Sequence, residues 1–291
     1  MNGDIAILFP GLRRIRWDRQ WYAIGRDEAY LLFIVLNELL LGVETTLAHI
    51  SNGTLRPYEW VPILGSPVMG LGLIAAFVGR RRGWRGAVPL ALAMLSCSIV
   101  VGVLGTYLHL SQSLRPFAPS GQRVTLALVI WGLPSLAPPS FALVGLLGFV
   151  SLTRLEEAKK SHLYYLLSSV GVAIATVSSV FDHIRTGFTN PWLWVPTIAG
   201  TFGLIAAFTV GVIRRRGRAD LTTFAVAMAA QLIVGPLGSL LHLTHDLGVG
   251  GTVVVERLLR NAPVLAPLVF ANMGLMGLLA LLGEKDHGWA G

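Results

Sequence analysis

The apolar positions of this chain fall in long continuous runs rather than in the alternation of a half-buried strand or the stripe of a surface helix. Eight runs are long enough to cross a bilayer core of about 30 Å as helices: roughly 29–49, 60–79, 87–110, 124–150, 162–184, 193–213, 220–243 and 257–282. The pattern predicts an all-α integral membrane protein with eight transmembrane helices.

The runs also repeat. His49-Ile50-Ser51-Asn52-Gly53, followed by Pro57 and Trp60-Val61-Pro62, returns as His183-Ile184-Arg185-Thr186-Gly187 with Pro191 and Trp194-Val195-Pro196. Gly72 to Phe77 returns as Gly203 to Phe208, and Arg80-Arg81-Arg82-Gly83 as Arg214-Arg215-Arg216-Gly217. Leu104-Gly105-Thr106-Tyr107-Leu108-His109 returns as Leu237-Gly238-Ser239-Leu240-Leu241-His242. Pro134-x-Leu136-Ala137-Pro138 returns as Pro263-x-Leu265-Ala266-Pro267. Each copy holds four spans, an even number, so both enter the membrane in the same sense. The expected architecture is two tandem, parallel four-helix repeats related by a pseudo-twofold axis along the membrane normal. The divisions are a basic N-terminal segment 1–28, a first repeat 29–151, a linker 152–161, a second repeat 162–283 and a tail 284–291.

Composition agrees with a membrane class. Of 291 residues, 54% are hydrophobic and 13% charged, about half the charge of a soluble domain, and the mean hydropathy is +0.66. Cys97 is the single cysteine, which excludes intrachain disulfides and thiolate clusters. The net charge of +8 is spread unevenly. Arg13, Arg14, Arg16, Arg19, Arg26, Arg80, Arg81, Arg82, Arg85, Arg154, Lys159, Lys160, Arg214, Arg215, Arg216, Arg218 and Lys285 fall on one side of the expected topology. Arg56, Arg115, Arg123, Arg185, Arg257 and Arg260 fall on the other, so 17 of the 23 basic residues share a side. That bias orients both termini inward, in a cell membrane and most simply a prokaryotic plasma membrane. The clusters then address anionic lipid rather than nucleic acid. No phosphate-binding loop, zincin helix or serine elbow occurs, which excludes nucleotide-driven and common hydrolytic chemistry.

Four of the seven histidines pair across the repeat, His49 with His183 and His109 with His242. Two such coincidences by chance are on the order of one in two thousand. All four lie at the expected outer ends of the first and third helices of each unit. Two imidazoles meeting there can bind a metal ion or both axial sites of a haem iron. Gly105 and Gly238, one turn before His109 and His242, offer room for a flat macrocycle, although small residues also serve close helix packing. His245 and Asp246 follow His242 at i+3 and i+4, and Asp182 precedes His183. These donors suit non-haem copper, iron or zinc, or the orientation of a ligating imidazole. Arg56 and Arg185 are candidate partners of haem propionates. Glu38 and Glu44 are ionisable groups within the first span and candidates for proton relay or catalysis. His162 and His287 have no matched partner and are expected at the surface.

The leading expectation is a membrane metalloprotein with bis-His haem b or a non-haem metal near the outer face. It would do redox or electron-transfer chemistry with an electron-transfer partner or small substrate on that side. The alternatives are a metal-ion or proton-coupled transporter using the same histidines, or an assembly subunit without chemistry.

Overall fold

A computed structural model describes residues 24–51, 55–113, 118–123, 125–132, 134–248 and 263–283. The expected N-terminal segment up to residue 23, the tail 284–291, and Gly53, Arg115, Arg257, Arg260, Lys285 and His287 lie outside the described residues. The described chain is helical, without strands. Its helices are α1 (Arg26–Ser51), α2 (Trp60–Arg81), α3 (Ala87–Ser113), α4 (Leu126–Trp131), α5 (Pro139–Leu152), α6 (Glu157–Arg185), α7 (Trp194–Val212), α8 (Arg218–Gly248) and α9 (Leu268–Ala280).

Six of these, α1, α2, α3, α6, α7 and α8, are long and apolar enough to cross a membrane. The fourth and eighth expected spans are not such helices. The run 124–150 holds α4, six residues long, and α5, fourteen residues long, with non-helical chain between them. The described part of the run 257–282 holds α9, thirteen residues long. At about 1.5 Å per residue, α5 and α9 reach roughly 20 Å, short of a hydrocarbon core. The reason is local. Pro134, Pro138 and Pro139 each lack an N–H, and a proline ring disfavours helix at the residue before it. Hydropathy is blind to this because Leu136 and Ala137 keep the run apolar.

Elsewhere the ends are set by familiar chemistry. Asp27 and Glu28 occupy the first turn of α1, where the helix dipole favours acid. Short 3₁₀ turns lead into α2 and α7. In the first, the Arg56 backbone N–H donates to Glu59 Oε2 at 2.9 Å; in the second, the Trp192 N–H donates to Asn190 Oδ1 at 3.1 Å. Gly83, with φ of +76°, turns the chain out of α2 into the short link to α3.

Helices α1, α2, α3 and α5 pack together, as do α6, α7, α8 and α9; α5 meets α6, and α1 meets α9. Two contacts are repeated closely. A Cβ added at Gly105 would stand 2.9 Å from Pro138 Cβ, and one at Gly238 would stand 2.7 Å from Pro267 Cβ. Gly102 rests on the backbone of Ala142, and Gly235 on that of Ala271. Each half-length helix is thus seated on its long neighbour through glycine.

At the end opposite the histidines, α1 and α6 are joined by a polar network. Arg26, 6% exposed, donates to Ser161 Oγ at 2.7 Å and to Glu157 Oε2 at 2.8 Å. The Lys160 ammonium, also buried, pairs with Asp27, to which the Tyr164 hydroxyl donates as well (3.0 Å). Tyr30 and Tyr164, 134 residues apart, stack face to face with ring centres 3.9 Å apart and planes 5° from parallel. Asp27→Ala leaves the Lys160 charge buried without a carboxylate and is expected to cost about 3 kcal/mol. Adding Lys160→Met should return most of that loss. Thermal unfolding of the four members of this cycle in detergent measures both steps; equal melting of wild type and Asp27→Ala would refute the pairing.

Candidate functional site

The histidine end is built from the last turns of α1, α3, α6 and α8. The rings of His49 and His109 meet with centres 6.3 Å apart and planes at 67°. His49 Nδ1 lies 2.8 Å from the Thr45 carbonyl oxygen, one turn back on its own helix. His109 Nδ1 lies 3.1 Å from the carbonyl oxygen of Pro134, in the non-helical chain before α5. A carbonyl only accepts, so in both rings Nδ1 carries the proton. In the neutral imidazole, Nε2 then keeps its lone pair.

The second set shares one of these bonds. His242 Nδ1 lies 3.0 Å from the Pro263 carbonyl oxygen, the counterpart of His109 and Pro134. His183 and His242 are near enough to act on each other electrostatically, as are His49 and His109. His183 differs from His49, because its buried Nδ1 has no hydrogen-bond partner among the described residues. Its ring meets Phe188 edge to face at 5.7 Å, and Phe188 leans on Trp194 at 4.4 Å. Phe188 adopts a φ of 51°, which directs its ring back over the helix end.

Of the other expected donors, Asp182 is near enough to act electrostatically on His183 and His242, whereas His245 and Asp246 part company. His245 is exposed whereas Asp246 is buried, 1% exposed, so the two point to different sides of α8. Asp182 is exposed and lies 3.5 Å from Arg185 Nη1. Among the described residues no group of three or more His, Cys, Asp or Glu side chains is placed to hold a metal ion. The space beside Gly105 and Gly238 is filled by Pro138 and Pro267, which corrects the expectation of a cleared face there: both glycines serve close packing. Arg185 donates from Nε to the Ile130 carbonyl at 2.7 Å, and from Nη2 to Ile130 and, at 3.3 Å, to Gly132. It therefore satisfies the open carbonyls at the end of α4. Arg56 stays at the exposed rim, donating to the Tyr58 hydroxyl at 2.7 Å and to Gln112 Oε1 at 3.1 Å.

Glu38 is fully buried, whereas Glu44 lies on an exposed face of α1, away from the bundle interior. His162 is half-buried rather than superficial, its Nδ1 lying 2.8 Å from the Gly211 carbonyl oxygen. Three residues at the site escape a reading by hydropathy and histidine spacing. Pro134 and Pro263 supply the carbonyls that hold two of the imidazoles, and Glu59 is near enough to act on His109. The prolines were visible as part of the repeated motif; Glu59 has no counterpart in the second copy, where Leu193 stands.

The apolar helices define a multi-pass α-helical membrane protein. Comparison of the chain with protein families, curated proteins and solved structures returns no match.

Proposed function

We propose that this protein is a multi-pass redox protein of the cell membrane that binds haem b between paired imidazoles near its outer face. Its two tandem four-helix units are parallel, with both termini inside. The observation that carries the reading is the His49–His109 pair. Their ring centres lie 6.3 Å apart, and with Nδ1 of each ring bonded to a carbonyl, His49 and His109 would hold the metal through Nε2. Ligating histidines characteristically donate their other N–H to a carbonyl or carboxylate, as His49, His109 and His242 do. The glycines lend no support. When bound, the haem would supply one-electron chemistry; the protein holds the two imidazoles in one tautomer and keeps Arg56 at the rim.

The tandem reading is supported by the recurring Gly–Pro, Gly–Ala and His–Pro contacts and by the Tyr30–Tyr164 stack. The half-length helices α5 and α9 favour a second reading, a proton-coupled transporter, since discontinuous helices line many transport sites.

An absorption spectrum with metal analysis of the purified protein separates these. A Soret band with stoichiometric iron supports haem; stoichiometric metal without the band means a non-haem centre; neither leaves the transporter. Orientation is checked by reporter fusions, with Arg82 and Arg215 expected inside and Gly187 outside. Arg82 and Gly187 reporting from the same side would overturn it.

A further inference from the structure

We propose that Glu38 is a proton-binding site in the membrane interior, loaded in the closed bundle and emptied only when α3 separates from α5. This inference is independent of the haem, and either can fail without the other.

Glu38 is 0% exposed, at the middle of α1, and no Lys, Arg or His pairs with it among the described residues. Its surroundings are hydroxyls and backbone. Ser66 of α2 donates to the Glu38 carbonyl oxygen, and Ser98 of α3 meets its carboxyl Oε1. Oε2 is buried without a partner. No titratable group of α2, α3 or α5 takes part in these contacts, and His49 is about 16 Å further along α1.

Proton counting decides the form of the acid. The Ser98 hydroxyl has a single proton and lies within bonding reach of two oxygens, Glu38 Oε1 and, at 2.8 Å, the Phe141 carbonyl of α5. The carbonyl can only accept. Both contacts become hydrogen bonds when Ser98 donates to Phe141 and the Glu38 carboxyl donates to Ser98, which requires a protonated carboxyl. An anion would instead sit in an apolar interior with one shared donor, an unpaired oxygen and no counter-charge, at a cost of several kcal/mol. The neighbouring amide offers no relief, since Asn37 is bonded to Phe33 and Asn272.

The same chain of contacts makes the proton conditional on packing. Ser98 links the acid to α5, a half-length helix seated on α3 through Gly102 and Gly145. Parting α3 from α5 breaks the Ser98–Phe141 bond, which frees the Ser98 proton to donate to the carboxylate and admits water, and the acid then ionises. At the corresponding register the second set of helices carries Val172 and Gln231. The buried Gln231 amide donates to the Ala199 carbonyl at 2.6 Å and has no proton to lose. The site belongs to the first set alone.

Infrared spectroscopy of the full-length protein in lipid tests this. At neutral pH the wild type should show a carboxylic-acid C=O band that shifts on ¹³C-glutamate labelling. The band should vanish in Glu38→Gln, a neutral isostere of the protonated acid, and persist in Glu44→Gln. In Ser98→Ala it should move to higher frequency, as for an acid without a partner. In Gly102→Val, which wedges α3 off α5, it should disappear at neutral pH. Absence of the band from wild type, its retention in Glu38→Gln or in Gly102→Val, or its abolition by sodium at constant pH would each overturn the proposal. The last outcome would make the site a sodium site.

Discussion

Gly102→Val and Gly235→Val are each expected to destabilise the protein by about 3 kcal/mol, at the upper end of what overpacking costs. A Cβ at Gly235 would stand 2.6 Å from the Ala271 backbone nitrogen and 2.7 Å from its Cβ; one at Gly102 would stand 2.9 Å from Ala142 Cβ and 3.0 Å from the Pro138 carbonyl oxygen. Neither contact is with the end of a flexible side chain, so a whole helix has to move. Gly65→Ala is the control, because its Cβ would meet nothing closer than 3.9 Å. Circular-dichroism melts in detergent should place both valine variants well below wild type and Gly65→Ala at or slightly above it. A Gly102→Val protein melting like wild type would mean that α5 does not rest on α3 there.

On the proposal that each histidine pair holds a haem, His109→Asn is expected to halve the haem content of the purified protein, and His109→Asn with His242→Asn to abolish it. Asparagine is the informative replacement. Its amide N–H takes the place of imidazole Nδ1 and can still donate to Pro134 or Pro263, but nothing stands where Nε2 offers its lone pair. A fold defect and a ligand defect are therefore separated: the double variant melts with haem-free wild type and has no Soret absorption. His109→Ala additionally leaves the Pro134 carbonyl without its donor, which costs about 1 kcal/mol. If the purified wild type binds haem and the double asparagine variant retains it, the imidazoles are hydrogen-bonding clamps and the iron is held elsewhere.

Legibility from sequence varied with the kind of physics involved. Spanning helices such as α3 and α8 were readable because crossing a bilayer demands length and apolarity, which are local properties. The break before α5 was not, because hydropathy sums over Pro134, Pro138 and Pro139 as though they were helix formers. The approach of His49 and His109 followed from a matched position on two helices running in the same direction. The separation of His245 from Asp246 did not follow, because positions three and four residues beyond His242 differ by 100° around a helix, and which of them faces inward depends on neighbours far along the chain. The motif around Gly105 suits open space and close packing alike, and only the position of Pro138 decides for packing. The Tyr30–Tyr164 stack was missed, although the spacing of 134 residues that links His49 to His183 also links the two tyrosines. An ionisable residue in an apolar run drew attention to Glu38 and Glu44 alike; only the packing of α1 distinguishes the buried acid from the exposed one.

The polar partners of α1 carry a consequence for biosynthesis. Asn37 exchanges hydrogen bonds with Asn272, and the Tyr30 hydroxyl donates to the Met276 carbonyl at 2.8 Å. The first helix described thus finds these partners in the last helix described. The sequence separations are 235 and 246 residues. At roughly 5–20 residues per second of translation, α1 waits on the order of tens of seconds in the bilayer for these partners. Premature termination anywhere before Asn272 releases a chain in which α1 still lacks those three bonds. Such fragments present the same polar defect whatever their length, one that a membrane protease could use to tell an unfinished copy from a finished one.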